Sequence, residues 1–347
     1  MQLSSILAIR QARLGLVPVL AALLTVAPAV AQPAGPVQPV YGTEMEGFAY
    51  PYPVERFRFP SQRQEVSMAF MDVAPAGAAN GRTVVLLHGK NFCAATWEAT
   101  IAALAGAGYR VIAPDQVGFC ASTKPERYQF SFGQLAANTR ALLAARGVER
   151  ATILGHSMGG MLAARYALMF PQATERLVLV NPLGLEDWQA EGVPYTSPDQ
   201  NMQGELRTNY DSIRAYQLRF YYDNQWKPEY ERWARMAAGL YAGPGRDLVA
   251  WNQALTSEMI QTQPVVHEFG RIAVPTVLMI GGRDRTAPGA ARAPREVQDR
   301  LGRYAELGRR AAAAIPGARL VEFPELAHSP QVEAPAQFHE ALLRALE

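Results

Sequence analysis

The sequence predicts an α/β fold with a mostly parallel, eight-stranded sheet covered by helices on both faces. Six short apolar runs, of the kind found in strands buried on both faces, alternate with stretches of helical periodicity. Two strand-like segments precede this alternation, and one interval of about ninety residues interrupts it. Because alternating strands and helices favour a parallel sheet between helical layers, we expect functional groups at the carboxyl ends of the strands.

The first two strands are expected at 54–59, where apolar residues alternate with polar ones, and at 65–73. A Gly/Ala/Asn turn at 77–81 separates them from the six buried runs. These runs lie at 83–89, 110–115, 151–155, 176–181, 275–282 and 318–323. The predicted helices lie at 96–107, 131–146, 158–170, 295–314 and 335–346.

The interval from Leu183 to Ile272 is too long for a plain loop and contains four of the five tryptophans. We interpret 183–272 as a helical lid inserted after the sixth strand, with 54–182 and 273–347 forming the core. Its aromatic residues either build the small core of the insertion or face a pocket, which apolar and aromatic groups usually line.

The N-terminus has the order of a secretory signal peptide. Arg10 and Arg13 precede an apolar run from Leu14 to Ala27, and an A-x-A site ends at Ala31. The run is shorter than the roughly 20 residues that cross a bilayer, although an uncleaved anchor remains an alternative. We therefore expect residues 1–31 to be removed after Ala31, a periplasmic or secreted protein without stable membrane insertion, and an extended, proline-rich lead-in at 32–53.

Charge and motif content exclude several function classes. Removal of residues 1–31 takes away two arginines and no acidic residue, which lowers the formal charge from +2 to zero. A neutral chain without a basic stripe does not predict a nucleic-acid partner. Since no phosphate-binding glycine loop, CxxC pair or HxxxH spacing is present, the sequence predicts a small-molecule substrate and neither a cofactor nor a metal.

Ser157 lies between two glycines, directly after a buried run and before a helical pattern. A serine in that place often caps a helix. Gly155 and Gly159, however, complete G-x-S-x-G, in which the glycines relieve crowding while a strained turn exposes the serine hydroxyl at the sheet edge. The pattern therefore favours a nucleophile over a cap.

A serine hydroxyl needs a base within hydrogen-bond reach and a carboxylate that orients the base. Of the five histidines, His328 lies in the loop after the last core strand, and Asp284 ends the preceding one. Their alternative roles are a turn-forming aspartate and a structural loop histidine. The order Ser, Asp, His along the chain is that of α/β-hydrolases.

From about residue 54 onward the sequence resembles the α/β-hydrolase superfamily. The motifs that carry the resemblance follow successive strands: H-G after the third, D-x-x-G after the fourth, G-H-S-M-G-G, G-G-x-D after the seventh, and a histidine before the final helix. The resemblance implies a serine hydrolase with Ser157 as nucleophile, His328 as general base and acid, and Asp284 as orienting carboxylate.

The resemblance also implies an oxyanion hole built from backbone N–H groups. Met158 follows the nucleophile and supplies one donor. Lys90, after His88 and Gly89, supplies the second, with Asn91 as the alternative. We expect the Lys90 side chain to reach solvent and His88 to support the loop by hydrogen bonds.

Two features depart from the family pattern. Cys120 occupies a position where the family often has glycine, in "DQVGFCAS". The interval from Asp284 to His328 is long, which suggests an extra helix around 295–314 that decorates the surface.

Cys93 and Cys120 are the only cysteines of the chain, and each follows one of two strands that are neighbours in the family's strand order. Export to an oxidising compartment favours a disulfide between them, although small buried thiols are the alternative.

The sequence predicts hydrolysis of a carboxylic ester through an acyl-enzyme. A serine nucleophile argues against epoxide hydrolases and haloalkane dehalogenases, which place aspartate there. Open alternatives are a proline iminopeptidase-like aminopeptidase, a C–C bond hydrolase, a lactonase or a cofactor-free perhydrolase. A ligand-binding protein on the same fold is a remote alternative, since no member of the triad is lost.

Overall fold

The computed structural model describes residues 38–347. The predicted signal peptide and residues 32–37 of the lead-in lie outside the described residues. All eight predicted strands are present and form one sheet. The strands are β1 Val54–Ser61, β2 Gln64–Val73, β3 Thr83–Leu87, β4 Arg110–Pro114, β5 Ala151–His156, β6 Thr174–Val180, β7 Thr276–Gly281 and β8 Arg319–Phe323.

The strand order is β1-β2-β4-β3-β5-β6-β7-β8. β2 pairs antiparallel with β1 and β4, and every other pair is parallel. The carboxyl ends of β3 to β8 consequently meet at one edge of the sheet, as the sequence predicts. This edge carries the candidate site.

Helices cover both faces of the sheet because successive strand residues point to opposite sides. The core helices are α1 Glu98–Gly106, α2 Phe132–Ala145, α3 Met158–Met169, α8 Arg295–Gln298, α9 Tyr304–Ala314, α10 Pro330–Glu333 and α11 Pro335–Leu346. In β3, Val84 and Leu86 pack in one apolar cluster, with residues of α1 and α11. Val85 and Leu87 pack in the other, with residues of α2, α3 and α9.

The single helix predicted at 295–314 is wrong, because two helices occupy that stretch. Gly302 lies between them with a φ of 66°, which a right-handed helix does not allow. Its N–H donates to Glu186 Oε1 at 2.9 Å. The second helix is also more than surface decoration, since Tyr304 is buried and Gly308 packs against Ile280 of the sheet.

The interval 183–272 is helical, as predicted. Its helices are α4 Pro198–Glu205, α5 Tyr210–Tyr216, α6 Glu231–Ala242 and α7 Arg246–Thr262, and a π-helical turn, Gln217–Tyr221, continues α5. Some aromatic residues form a core of the insertion, such as Tyr222 and Tyr230 with ring centroids 3.7 Å apart. No helix within 38–347 is long and apolar enough to cross a membrane.

The described part of the lead-in is folded and not simply extended. Residues 43–47 form turns. Tyr41 N donates to Gly239 O at 3.0 Å, and the Tyr50 hydroxyl donates to the buried Asp115 carboxylate. Proline content alone did not predict these contacts, because they join residues far apart in the chain.

Candidate active site

Ser157 occupies a strained turn between β5 and α3. Its φ of 56° and ψ of −123° place it in a region that side chains rarely adopt. The residue is 3% exposed, and its side chain makes no capping hydrogen bond to the helix. The geometry is therefore that of a nucleophile elbow and not of a helix cap.

The glycines around Ser157 permit this turn because neighbouring backbone leaves no room for a side chain. A Cβ on Gly155 would lie 2.0 Å from the carbonyl oxygen of Gly159. A Cβ on Gly159 would lie 2.2 Å from the carbonyl oxygen of Leu87. Both distances are far below van der Waals contact, so the G-x-S-x-G pattern reflects close packing of β3, β5 and α3.

Asp284 and His328 meet at the carboxyl edge of the sheet, and both are fully buried. His328 Nδ1 donates to Asp284 Oδ2 at 2.6 Å. This bond fixes the tautomer, because a proton on Nδ1 leaves Nε2 with a lone pair. The arrangement is the one that a general base requires.

Two further groups hold the Asp284 carboxylate. Thr286 N donates to Oδ1 at 2.7 Å, and Asn181 Nδ2 donates to Oδ2 at 2.9 Å. Asn181 Oδ1 in turn accepts from Gly281 N at 2.8 Å, which ties the ends of β6 and β7 together. Asn181 was not predicted as a site residue, although it lies immediately after a buried strand.

Ser157 and His328 are not hydrogen-bonded to each other. His328 Nε2 is buried and has no partner among the described residues, which leaves this nitrogen free to accept. Hydrogen bonds of catalytic groups are often long or misaligned without substrate and tighten in the complex.

His156 joins the elbow to the histidine loop. Its Nε2 donates to the backbone carbonyl of His328 at 2.8 Å, and its ring stacks on Phe92 at 5.7 Å. Burial, followed by the charge of His328, holds the pKa of His156 well below its usual range. A neutral His156 engaged in this bond positions the loop that carries His328 and does not transfer a proton.

The loop after β3 presents the predicted oxyanion donors. Lys90 N–H has no hydrogen-bond partner among residues 38–347, and Met158 N–H belongs to the first turn of α3, where amides lack partners within the helix. His88 supports the loop: its Nδ1 donates to Gly89 O at 2.9 Å, and its Nε2 accepts from Gln116 N at 3.1 Å. Burial lowers the pKa of His88, which keeps it neutral.

The expectation that the Lys90 side chain reaches solvent is wrong. Lys90 Nζ donates to Glu205 Oε1 of α4 at 2.8 Å, and the two side chains are only 17% and 15% exposed. Asn91 Nδ2 likewise donates to the Tyr221 hydroxyl at 3.0 Å. The Tyr221 ring lies 4.7 Å from that of His328. Side chains of the loop after β3 thus bind the helical insertion.

Cys93 and Cys120 form a disulfide with Cα atoms 5.8 Å apart. The bond links the loop after β3 to the turn after β4. Cys120 has a φ of 47°, the left-handed region that glycine favours, so the turn keeps the glycine-like conformation without the glycine. A carboxylate oxygen of Asp115 lies within 4.8 Å of both sulfurs, but disulfide sulfurs offer no thiolate to a metal.

Glu333, at the end of α10, accepts hydrogen bonds from both residues that flank His328. Its Oε1 accepts from Ala327 N at 3.0 Å and from Ser329 N at 3.1 Å. Burial raises the pKa of Glu333 to about 7, against the lowering effect of these two amides. No sequence pattern predicts this role of Glu333, because it depends on how a short helix folds back on the loop.

A cavity of about 610 Å³ lies between the sheet edge and the insertion. Ser157 and the loop 90–93 line one side, and residues of α4 to α7 line the other. Tyr216, Tyr221 and Tyr241 belong to the insertion and line the cavity. Some of its aromatic residues therefore face a pocket, while others build the insertion's own core.

A mostly parallel sheet with a serine elbow after β5 and a buried Asp–His pair after β7 and β8 defines an α/β hydrolase. The sequence profile of the alpha/beta hydrolase fold family matches residues 82–335. The chain belongs to this family.

A solved structure of a probable hydrolytic enzyme from Pseudomonas aeruginosa PAO1 is 60% identical, with a TM-score of 0.88, over 89% of this chain and 99% of that chain. The 2-hydroxy-6-oxo-2,4-heptadienoate hydrolase of Pseudomonas putida is 26% identical over 215 residues, 60% of this chain and 74% of the relative. An uncharacterized protein of Mycobacterium tuberculosis is 41% identical over 108 residues, 31% of each chain, so the match spans under a third of that relative.

Proposed function

We propose that the protein hydrolyses a carboxylic ester of a small molecule through an acyl-enzyme on Ser157. The observation that carries the proposal is the Asp284–His328 hydrogen bond at the same sheet edge as the strained Ser157 elbow. His328 Nε2 accepts the Ser157 proton as the hydroxyl attacks the ester carbonyl, and the resulting imidazolium is steadied by Asp284. His328 then protonates the leaving alcohol, and water repeats the sequence on the acyl-enzyme.

The negative charge of each tetrahedral intermediate falls on the former carbonyl oxygen. Lys90 N–H and Met158 N–H are the proposed donors to this oxygen. Donors fixed by folding lower the barrier because no reorganisation is needed during the reaction. His88 and the Cys93–Cys120 disulfide hold the loop that carries Lys90.

We further propose that the insertion 183–272 acts as a lid over the cavity, and that the mature protein is exported to the periplasm or secreted. The contacts Lys90–Glu205 and Asn91–Tyr221 support the first proposal, because they attach the insertion directly to the oxyanion loop. The order of charged, apolar and small residues in 1–31 supports the second.

C–C bond hydrolysis is the second candidate, because the Pseudomonas putida relative is named a 2-hydroxy-6-oxo-2,4-heptadienoate hydrolase, and the compound in that name contains no ester bond. The two reactions differ in the bond that is cleaved: one cleaves the acyl C–O bond of an ester, and the other cleaves a C–C bond beside a ketone carbonyl. Activity on nitrophenyl esters without activity on a vinylogous 1,5-diketone supports ester hydrolysis. The reverse pattern contradicts it.

The experiment is a steady-state assay of purified protein on nitrophenyl esters of increasing acyl length. Ser157→Ala is expected to lower kcat by about 10⁴-fold or more, because only the nucleophile is removed. Asp284→Asn is expected to lower it strongly as well, through loss of the tautomer and of the charge beside His328. A Ser157→Ala variant that retains a tenth of the wild-type rate contradicts the mechanism.

A further inference from the structure

Cationic side chains predominate among the charged residues that line the cavity. Five charged residues are found among the described residues that line it: Lys90, Lys124, Glu205, Arg207 and Arg292. Four of the five are cations. Since acidic and basic residues balance over 38–347, the cavity lining carries a net positive charge in an otherwise neutral protein.

Two of the cations already have partners. Lys90 pairs with Glu205 at 2.8 Å, and the second oxygen of that carboxylate accepts from the Tyr241 hydroxyl at 2.5 Å. Lys124 is 4% exposed and donates to the Ser122 carbonyl at 3.0 Å, and the negative charge of Asp115 stabilises its ammonium group. Neither cation is therefore available to a ligand without losing an existing bond.

Arg207 and Arg292 remain. Neither makes an ion pair or a side-chain hydrogen bond within residues 38–347, and both are exposed, which places them at the solvent side of the cavity. Arg207 follows α4 of the insertion, whereas Arg292 follows β7 of the core. Partial burial alone lowers the pKa of Arg292, as expected for a guanidinium without a nearby carboxylate.

Ser157, by contrast, is 3% exposed and lies at the inner side of the same cavity. The lining also includes apolar side chains, such as Phe92, Leu183 and Ile260. A ligand bound at Ser157 therefore contacts apolar lining residues, and the exposed guanidinium groups of the same lining are groups that bind carboxylate and phosphate oxygens well.

We propose that the substrate of this site is an ester that carries an anionic oxyacid group at the end remote from the scissile bond, held by Arg207 and Arg292. The proposal rests on the proposed ester hydrolysis and adds the charge of the substrate. It assigns to the two arginines a role in specificity and none in the chemical step. Because both arginines are partly hydrated, the gain from each pair is modest and falls with salt.

The test compares matched ester pairs that differ only in terminal charge. One arm uses nitrophenyl half-esters of dicarboxylic acids against nitrophenyl esters of monocarboxylic acids of equal length. The other uses acetyl esters of hydroxy acids against acetyl esters of alcohols, so that the arms distinguish an anion in the acyl part from one in the alcohol part. In one arm, the kcat/KM of the wild-type protein is expected to be higher for the anionic ester than for the neutral one. The difference is expected to be largest at low salt.

Arg207→Gln and Arg292→Gln are each expected to lower kcat/KM for the anionic ester about threefold, and together about tenfold, with the neutral ester unchanged. Arg63→Gln, an exposed arginine that does not line the cavity, is the matched control and leaves both values unchanged.

Equal kcat/KM for the charged and neutral members in both arms overturns the proposal, as does a preference that survives the double substitution. In either case Ser157-dependent turnover of the neutral esters still supports ester hydrolysis. Absence of turnover on every ester rejects the proposed function itself and the anion site with it.

Discussion

Ser157 combines a backbone conformation that costs free energy with a position that leaves its hydroxyl unengaged by the helix it precedes. Buried glycines on both sides hold that conformation, because their hydrogen atoms lie where any Cβ would strike backbone oxygen. The sequence predicted Ser157 because the glycines of G-x-S-x-G, which form the recognisable pattern, are also the residues that permit its strained backbone conformation. Asn181 and Glu333 were not predicted, since Asn181 binds a residue about a hundred positions away and Glu333 binds its loop only because a short helix folds back on it.

Glu333→Gln is predicted to flatten the acid limb of the pH–activity profile. Burial raises the pKa of Glu333 to about 7, so protonation of wild type below that pH weakens the hydrogen bonds to Ala327 N and Ser329 N and loosens the loop of His328. Gln keeps one acceptor and does not titrate. Wild-type kcat/KM therefore falls with the slope of two protons, and that of the variant with the slope of one.

The free energy of unfolding gives an independent readout of Glu333, with the opposite dependence on pH: protonation lowers activity but favours the folded state. A raised pKa means that the folded state holds the proton more tightly, so the contribution of Glu333 to stability is present at low pH and is lost as pH rises through about 7. The wild-type and variant stabilities measured by urea unfolding should diverge across that range. Glu325→Gln, at an exposed position in the same loop, is the control. Identical profiles for all three proteins contradict the role assigned to Glu333.

At the scale of elements, buried strands were the most predictable part of the molecule. A short, continuous apolar run such as "TVVLL" is typical of a strand buried on both faces of a sheet. The strand β3 accordingly begins and ends within two residues of its predicted bounds. The stretch 295–314 was less predictable, because its helical periodicity continues across Gly302. A contact with Glu186, over a hundred residues away, breaks the helix there.

The disulfide between the loops after β3 and β4 is predicted to stabilise the fold and the oxyanion loop together. Cys93→Ala with Cys120→Gly removes it, and glycine suits the positive φ of position 120. Loss of the crosslink, at a sequence separation of 27, is expected to destabilise by about 3 kcal/mol and to lower the Tm by about 5 °C. Scanning calorimetry measures the change in Tm. The kcat is expected to fall for every substrate, while the order in which Ser157 prefers the substrates stays the same.

Reductant supplies the control for that variant. Dithiothreitol should lower the Tm of wild type toward that of the double variant and leave the variant itself unchanged. A wild-type Tm that is insensitive to reductant, together with two thiols alkylated under denaturing conditions before reduction, is incompatible with a disulfide that stabilises the protein.

For the molecule as a whole, the order of five motifs along the chain predicted the fold and the candidate triad, since each motif lies at a strand end of one sheet. The wall of the cavity formed by 183–272 was not predictable in detail. Its contacts, such as Glu205 with Lys90 and Tyr221 with Asn91, depend on how four helices pack above the sheet. Helical periodicity specifies the buried face of each helix and not the residue that it meets.

The central claim is that Ser157 is the activated nucleophile of a serine hydrolase. Reaction with a fluorophosphonate and mass mapping of the adduct test it most directly, because the reagent needs a serine activated by its base and an oxyanion hole but no knowledge of the substrate. We predict one adduct, on the peptide that contains Ser157, absent from Ser157→Ala and formed far more slowly by Asp284→Asn. A wild-type protein that forms no adduct, or an adduct that persists in Ser157→Ala, would contradict the claim.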